Sequence, residues 1–313
     1  MPGVRATSPS SVPDPIVMPP LVRALRPHQW VKNLFVAAPL VFGKTLFERG
    51  PALRVCVAVG LFCLLCGAVY LVNDLLDLEA DRVHPKKRLR PLAAGRLSVR
   101  TARTAAALLF AGALAGLWSL EPSVGAFASA YLVLNLAYSL ALKRVPFVDV
   151  LCIAAGFLLR VLTGAYAANV PPSAWLLVCT GLLAAFLGYG KRAHEIGASG
   201  DRAHSQRAVL GRYPVGLLKA ALYGLGVATV IAYVLYTRAE HTLAYFGTGK
   251  LVWTSPFVAF GVWRFLWIVA RRADAESPTA EMLRDGPFRV NLVLWVAMVT
   301  AIIYGLPPIP SAW

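Results

Sequence analysis

Acidic residues are scarce in this chain. Only 15 Asp and Glu stand against 31 Lys and Arg, and all charged residues together fill 15% of its 313 positions. So little charge beside 58% hydrophobic residues excludes an ordinary water-facing globular surface. Cysteine is sparse too. Cys56, Cys63, Cys66, Cys152 and Cys179 all lie in apolar stretches, so no disulfide framework is expected. Cys63 and Cys66 form a C-x-x-C, yet no second Cys or His pair lies near them in sequence. They read as small buried hydrophobes. His28 and His84 lack zinc-ligand spacing, which removes a transition-metal site. The first 20 residues are rich in Pro and Ser and have no apolar core. They read as a disordered cytoplasmic tail and not as a signal peptide. No internal repeat is visible, which speaks against a transporter of paired halves.

What is abundant is long apolar sequence. A spanning helix needs about 20 mostly apolar residues. Nine stretches qualify: 31–47, 53–76, 102–120, 123–142, 146–168, 173–190, 214–237, 251–270 and 289–306. The first is short and holds Pro39. These spans predict an all-α polytopic membrane protein of about nine transmembrane helices. Residues 21–313 form its single membrane domain.

The positive charge has a side. Lys44, Arg49, Arg54, Arg238 and Lys250 fall on one face of this topology, and Arg160 and Arg264 fall within spans. All other Lys and Arg lie with the N-terminus and with the loops after spans two, four, six and eight. Positive loops stay in the cytoplasm, so this second face is cytoplasmic in a multi-pass plasma (inner) membrane protein. Membrane orientation and anionic lipid account for the basic excess, and no nucleic-acid partner is expected.

The most informative stretch runs from Asn73 to Gly95, where the second span ends. Asp74, Asp77 and Asp81 are spaced three and four apart, so on a helix they share one face, with Asn73 beside Asp77. Stacked like charges repel unless a cation lies between them. Oxygen-only ligands suit a hard cation such as Mg²⁺. The basic run that follows, Arg82, Lys86, Lys87, Arg88 and Arg90, suits phosphate. Together they describe a Mg²⁺–diphosphate site at a membrane surface.

Three further groups belong to the same face. Tyr138, Ser139, Lys143, Arg144, Pro146 and Asp149 join spans four and five. A positive loop explains Lys143 and Arg144. It does not explain Asp149 followed by Arg160 inside a span, where charge is costly and faces a cavity. Gly190-Lys191-Arg192-Ala193-His194-Glu195 follows span six. A solvated helix end explains a Lys191–Glu195 pair, whereas phosphate binding gives Lys191, Arg192 and Glu195 a shared role. The loop beyond, with Asp201, Arg202, Arg207, Arg212 and Tyr213, could fold over an anionic ligand. Arg207 is its candidate contact. Arg26-Pro27-His28-Gln29-Trp30-Val31-Lys32-Asn33 enters span one. Trp30 and Lys32 fit a membrane interface, but the Asn33 amide needs a polar partner.

These blocks give the chain a resemblance. Asn-Asp-x-x-Asp-x-x-x-Asp after the second of nine spans resembles the UbiA superfamily of intramembrane prenyltransferases. Arg26 to Asn33, Tyr138 to Arg160 and Gly190-Lys-Arg-x-x-Glu195 narrow the likeness to the branch that moves phosphoribose onto decaprenyl phosphate. The likeness covers the chain from about Leu21 onward. It implies a UbiA-like bundle with a cytoplasm-facing active-site cavity. Most aromatic prenyltransferases of the superfamily carry a second Asp-rich motif after span six. Here that position is mostly basic, which suggests that phosphate is gripped there directly.

The resemblance implies transfer of 5-phosphoribose from phosphoribosyl diphosphate to a polyprenyl phosphate, releasing diphosphate and feeding cell-wall arabinan synthesis. Asp74, Asp77 and Asp81 become catalytic Mg²⁺ ligands. Lys32, Asn33, Asn73, Arg82, Lys86, Arg90, Tyr138, Lys143, Asp149, Arg160, Lys191, Arg192, Glu195 and Arg207 become candidate substrate contacts. Two alternatives stay open: a UbiA-type enzyme moving a prenyl group to an aromatic acceptor, and a non-enzymatic lipid-binding or transport protein.

Overall fold

A computed structural model describes residues 18–199, 213–271 and 278–305. Most of the expected tail, and Arg207 with the loop around it, lie outside the described residues. Among the described residues, eight helices are long and apolar enough to cross a membrane, the seventh counted with the short turn from Lys250 that leads into it. They are α1 (Arg49–Leu76), α2 (Val99–Leu120), α3 (Pro122–Leu140), α4 (Val148–Ala167), α5 (Ala174–Ser199), α6 (Val215–Arg238), α7 (Ser255–Arg271) and α8 (Gly286–Tyr304). Among the described residues there is no strand. Helices satisfy every backbone group internally, which a lipid surrounding demands. The ends carry local signals. Ser98 caps α2 by accepting from the Thr101 N–H at 3.0 Å, and Asp285 caps α8 by accepting from the Phe288 N–H at 3.0 Å.

The first expected span, 31–47, takes another form. Pro27–Val36 is a 3-10 helix of 10 residues, and Ala38–Phe42 is a single short α-turn. Pro27 and Pro39 each lack an N–H, which discourages one continuous α-helix here. At about 2 Å per residue the 3-10 segment still covers roughly 20 Å. Together with Ala38–Phe42 and the turn to Leu46, this stretch runs along the bundle from one end toward the other. It starts where Arg26 pairs with Asp74 and passes Asn33, which donates to Cys63 at 3.2 Å. It ends where the Leu46 N–H donates to the Tyr304 hydroxyl at 3.0 Å. Eight of the nine expected stretches are therefore long membrane-spanning helices among the described residues, and the first is not.

Consecutive long helices pack against one another from α1 to α8, and α1 also meets α4. The 3-10 segment lies between α1 and α4. Gly164 makes this possible: a Cβ there would fall 1.8 Å from the Val36 carbonyl oxygen. Phe62, Leu65, Tyr131 and Val36 form one apolar core around this contact, and Phe186, Phe265, Leu218 and Ile268 form a second between α5, α6 and α7.

Candidate active site

The Asp block sits where α1 runs out. Leu76 is its last helical residue, Asp77 leaves the helical range with φ −96° and ψ 8°, and Leu78–Val83 resumes as a short helix. The change is small enough that the Asp81 N–H still donates to the Asp77 carbonyl at 2.8 Å. Asp74 and Asp81 therefore keep a common face, and both are 2% exposed. The chain then folds back, anchored by buried Leu92 and Leu97 against Leu25 and Leu71. That return brings Arg90 between the two carboxylates. One Arg90 Nη lies 3.2 Å from Asp74 and pairs with Asp81 as well. Arg26, held in the left-handed region at φ 55°, closes on Asp74 from the other side. Asp77 turns away and pairs with Lys143 at 3.0 Å. Asn73 accepts from the Ser139 hydroxyl.

The three carboxylates are thus divided. Among the described residues no three His, Cys, Asp or Glu side chains converge on one point. Asp74 and Asp81 do converge, on a guanidinium nitrogen. A cationic group already stands between two buried oxygen ligands, so this donor set fits a hard divalent cation.

A second polar group lies at the same end of the bundle. Arg192 of α5 is 1% exposed, yet its Nε is 2.7 Å from Asp149 of α4 and its other nitrogens reach Glu195 and, at 3.5 Å, the Tyr138 hydroxyl. Asp149 also accepts from the Tyr213 hydroxyl, which in turn accepts from the Phe147 N–H at 2.8 Å. Burial and the bond to Asp149 hold the Tyr213 phenol above its usual range. Phe147 itself has φ 66°, a strained value for a bulky residue next to a candidate site. Lys191 stands 3.9 Å from Glu195.

A third group lies deeper. Arg160 is 6% exposed within α4. It donates to Asn33 at 3.0 Å, to the Tyr131 hydroxyl at 2.8 Å and to the Gly156 carbonyl at 2.9 Å. Its guanidinium also lies within 5.5 Å of the ring centres of Phe62, Tyr131 and Phe157. Asn33 thus finds its partner, and the partner is the buried Arg. Cys66 joins them, 3.3 Å from the Tyr131 hydroxyl.

A family model matches residues 34–293, described as the UbiA prenyltransferase family. The chain belongs to the UbiA prenyltransferase family. It is 32% identical over 302 residues to a decaprenyl-phosphate phosphoribosyltransferase of Mycobacterium tuberculosis, covering 93% of this chain and 98% of that protein. It is 33% identical to one of the same name from Corynebacterium glutamicum, covering 92% of this chain and 87% of that one. A UbiA homolog from Archaeoglobus fulgidus, solved bound to DMAPP and Mg²⁺, matches with a TM-score of 0.65 at 23% identity. That match covers 91% of this chain and 99% of the other. It supports the UbiA fold. The multi-pass membrane architecture follows from that fold and the eight apolar helices.

In this UbiA bundle most of the expected residues gather at one end. Asp74, Asp77, Asp81, Asn73, Arg90, Tyr138, Lys143, Asp149, Lys191, Arg192 and Glu195 do so, with Asn33, Lys32 and Arg160 beneath them. Arg82 and Lys86 do not join. Arg82 is exposed and pairs with Glu79 at 2.9 Å, and Lys86 is exposed. Both sit on the outer side of the short helix and its loop, away from Asp74. Burial and the nearby Lys87 lower the proton affinity of His84, which accepts from the Lys86 and Lys87 N–H groups. Arg26, Tyr131 and Cys66 were not among the expected site residues. Arg26 lies in the Arg26–Asn33 block that carries the family likeness, so the sequence does point to it. A single Tyr or Cys inside an apolar span carries no sequence signal.

Proposed function

We propose that this protein transfers 5-phosphoribose from phosphoribosyl diphosphate to a polyprenyl phosphate, decaprenyl phosphate in the named relatives, and releases diphosphate. The observation that carries this is the near-full-length similarity to two decaprenyl-phosphate phosphoribosyltransferases. The chemistry of the site supports it. Asp74, Asp77 and Asp81 would hold Mg²⁺, and that ion would neutralise the departing diphosphate. Arg26, Arg90 and Lys143 now hold those carboxylates. With those carboxylates engaged by a metal, the three side chains would be available to bind phosphate oxygens. Asn73 and Ser139 keep the end of α1 aligned with α3. The acceptor is already an anion at neutral pH, so the protein has to position it more than deprotonate it.

The basic excess around this end supports a position on the cytoplasmic side of the plasma membrane, where a soluble phosphoribosyl donor is available. The product would serve as the precursor of a lipid-linked pentose donor for cell-wall arabinan. The test is incubation of purified protein with labelled phosphoribosyl diphosphate and decaprenyl phosphate. Label should pass into the lipid phase, and a chelator should stop it. The same preparation should move no prenyl group from a prenyl diphosphate to 4-hydroxybenzoate. Aromatic prenylation without phosphoribosyl transfer would replace this reading.

A further inference from the structure

The cations beneath the Asp block are not matched by acids. Arg160 bonds only to neutral acceptors: Asn33, Tyr131, the Gly156 carbonyl and, at 3.5 Å, the Cys66 sulfur. Four bonds on a group with five N–H donors leave one to spare. Lys32 has no hydrogen bond or ion pair among the described residues. Its charged neighbours include Lys191, Arg160 and Arg26, all positive; the one group that acts in the opposite sense is the Cys66 thiol, and no carboxylate is among them. Of these, Arg26 is held by Asp74 and Lys191 lies 3.9 Å from Glu195. Lys32 and Arg160 therefore share one region with no counter-charge of their own. A buried cation without a counter-charge, as Arg160 is, costs several kcal/mol, and aromatic faces offset only part of that; half-buried Lys32 adds a second unmatched charge beside it. A fold retains such a cost where a ligand supplies the missing charge.

The position separates this region from the metal ligands. Arg160 meets α1 at Cys66, eight residues before Asp74, which is about 12 Å along a helix. No carboxylate pairs with Lys32 or Arg160, so a divalent ion has no ligands there. The chemistry that fits is an anion bound directly by an ammonium, a guanidinium and an amide: a phosphomonoester.

We propose that Lys32, Arg160 and Asn33 form a phosphomonoester subsite beneath the Asp block, distinct from the place of the departing diphosphate. This rests on the proposed reaction for its two possible occupants, the 5-phosphate of the donor and the phosphate of the lipid acceptor. In either case the subsite fixes one reactant by its own phosphate, while the diphosphate leaves toward the carboxylates above. Lys191 adds positive potential at the mouth of the same region.

The test uses the full chain purified in detergent and two simple phosphomonoesters as probes, ribose 5-phosphate and farnesyl phosphate. Titration calorimetry compares the wild type with Lys32→Met. Lys32 makes no hydrogen bond or ion pair that the substitution would break, and Met keeps an apolar stem of similar length, so the variant should melt no lower than the wild type. Loss of one uncompensated charge should if anything raise the melting temperature. Binding of one probe should weaken roughly tenfold or more. Loss confined to ribose 5-phosphate assigns the subsite to the donor, and loss confined to farnesyl phosphate assigns it to the acceptor. Arg160→Lys, which keeps the charge but not the fork, should weaken the same probe. Unchanged affinity for both probes in Lys32→Met, or no binding of either by the wild type, would overturn the subsite. Binding that depends on Lys32 in a protein that transfers no phosphoribose would refute the reaction and leave the subsite standing.

Discussion

Arg90 is the residue on which the candidate site turns. Its guanidinium touches Asp74 and Asp81 together, and each carboxylate is 2% exposed. Two buried carboxylates of like charge are tolerable only with a cation between them. Arg90 supplies it in the free protein, and Mg²⁺ would supply it in the working one. Asp81→Asn keeps the shape and removes one oxygen ligand. Arg90 retains Asp74, so folded yield should stay near that of the wild type. Phosphoribosyl transfer should fall by roughly a hundredfold or more, as expected when a Lewis acid is lost from the transition state. Steady-state kinetics with a melting curve on the same sample checks this. Full turnover in Asp81→Asn would remove Asp81 from the chemistry. Arg192 has a different part. Its guanidinium is occupied by Asp149 and Glu195 and is 1% exposed, so it holds α4 and α5 in register and keeps the Tyr138 hydroxyl in place.

At the scale of elements, the unusual piece is the 3-10 segment Pro27–Val36. Long runs of 3-10 helix are uncommon because their hydrogen bonds are poorer. This one is held by its neighbours. Asn33 bonds across to both α1 and α4, and Gly164 lets the α4 backbone touch Val36. The segment carries Lys32 and Asn33 to the depth of Arg160, which a helix ending at the surface would not do. Gly164→Ala puts a methyl group 1.8 Å from the Val36 carbonyl oxygen, so the segment must move. The variant should lose about 1–3 kcal/mol of stability, the usual cost of overpacking. Gly112→Ala is the control. It meets nothing within 4 Å, and it should be neutral or slightly stabilising in a helix interior. Thermal unfolding followed by fluorescence-detected gel filtration compares the two. An unchanged melting temperature in Gly164→Ala would mean that the close contact does not hold the segment.

For the whole molecule, the contacts sort the helix ends into two sets. Asp77–Lys143, Phe147–Tyr213 and Asp149–Arg192 lie at one end. Arg54–Glu121, the Lys44 amine on the Tyr245 carbonyl at 2.9 Å, and Leu46–Tyr304 lie at the other. This alternation agrees with the topology drawn from the positive loops. If the Asp end faces the cytoplasm, Lys86→Cys in a background without native Cys should resist an impermeant maleimide in intact cells. Gly249→Cys, at the opposite end, should react. The reverse pattern would invert the protein in the membrane.

Some of this was local and therefore readable in one dimension. The length of each apolar run, the spacing of Asp74, Asp77 and Asp81, and the placement of Lys and Arg are chain-local properties. They were enough for the membrane class, the position of the acid block and the family. Helix ends followed from short-range signals such as Ser98 and Asp285. The distribution of partners was another matter. Nothing in the spacing says that Asp77 turns to Lys143 while Asp74 and Asp81 share Arg90. That depends on how the loop through Leu92 and Leu97 folds back on α1. Nor does it say that Arg160 lacks an acid and meets Asn33, 127 residues away. A buried charge takes whichever partner the packing brings within about 3 Å, and only the tertiary structure determines that set.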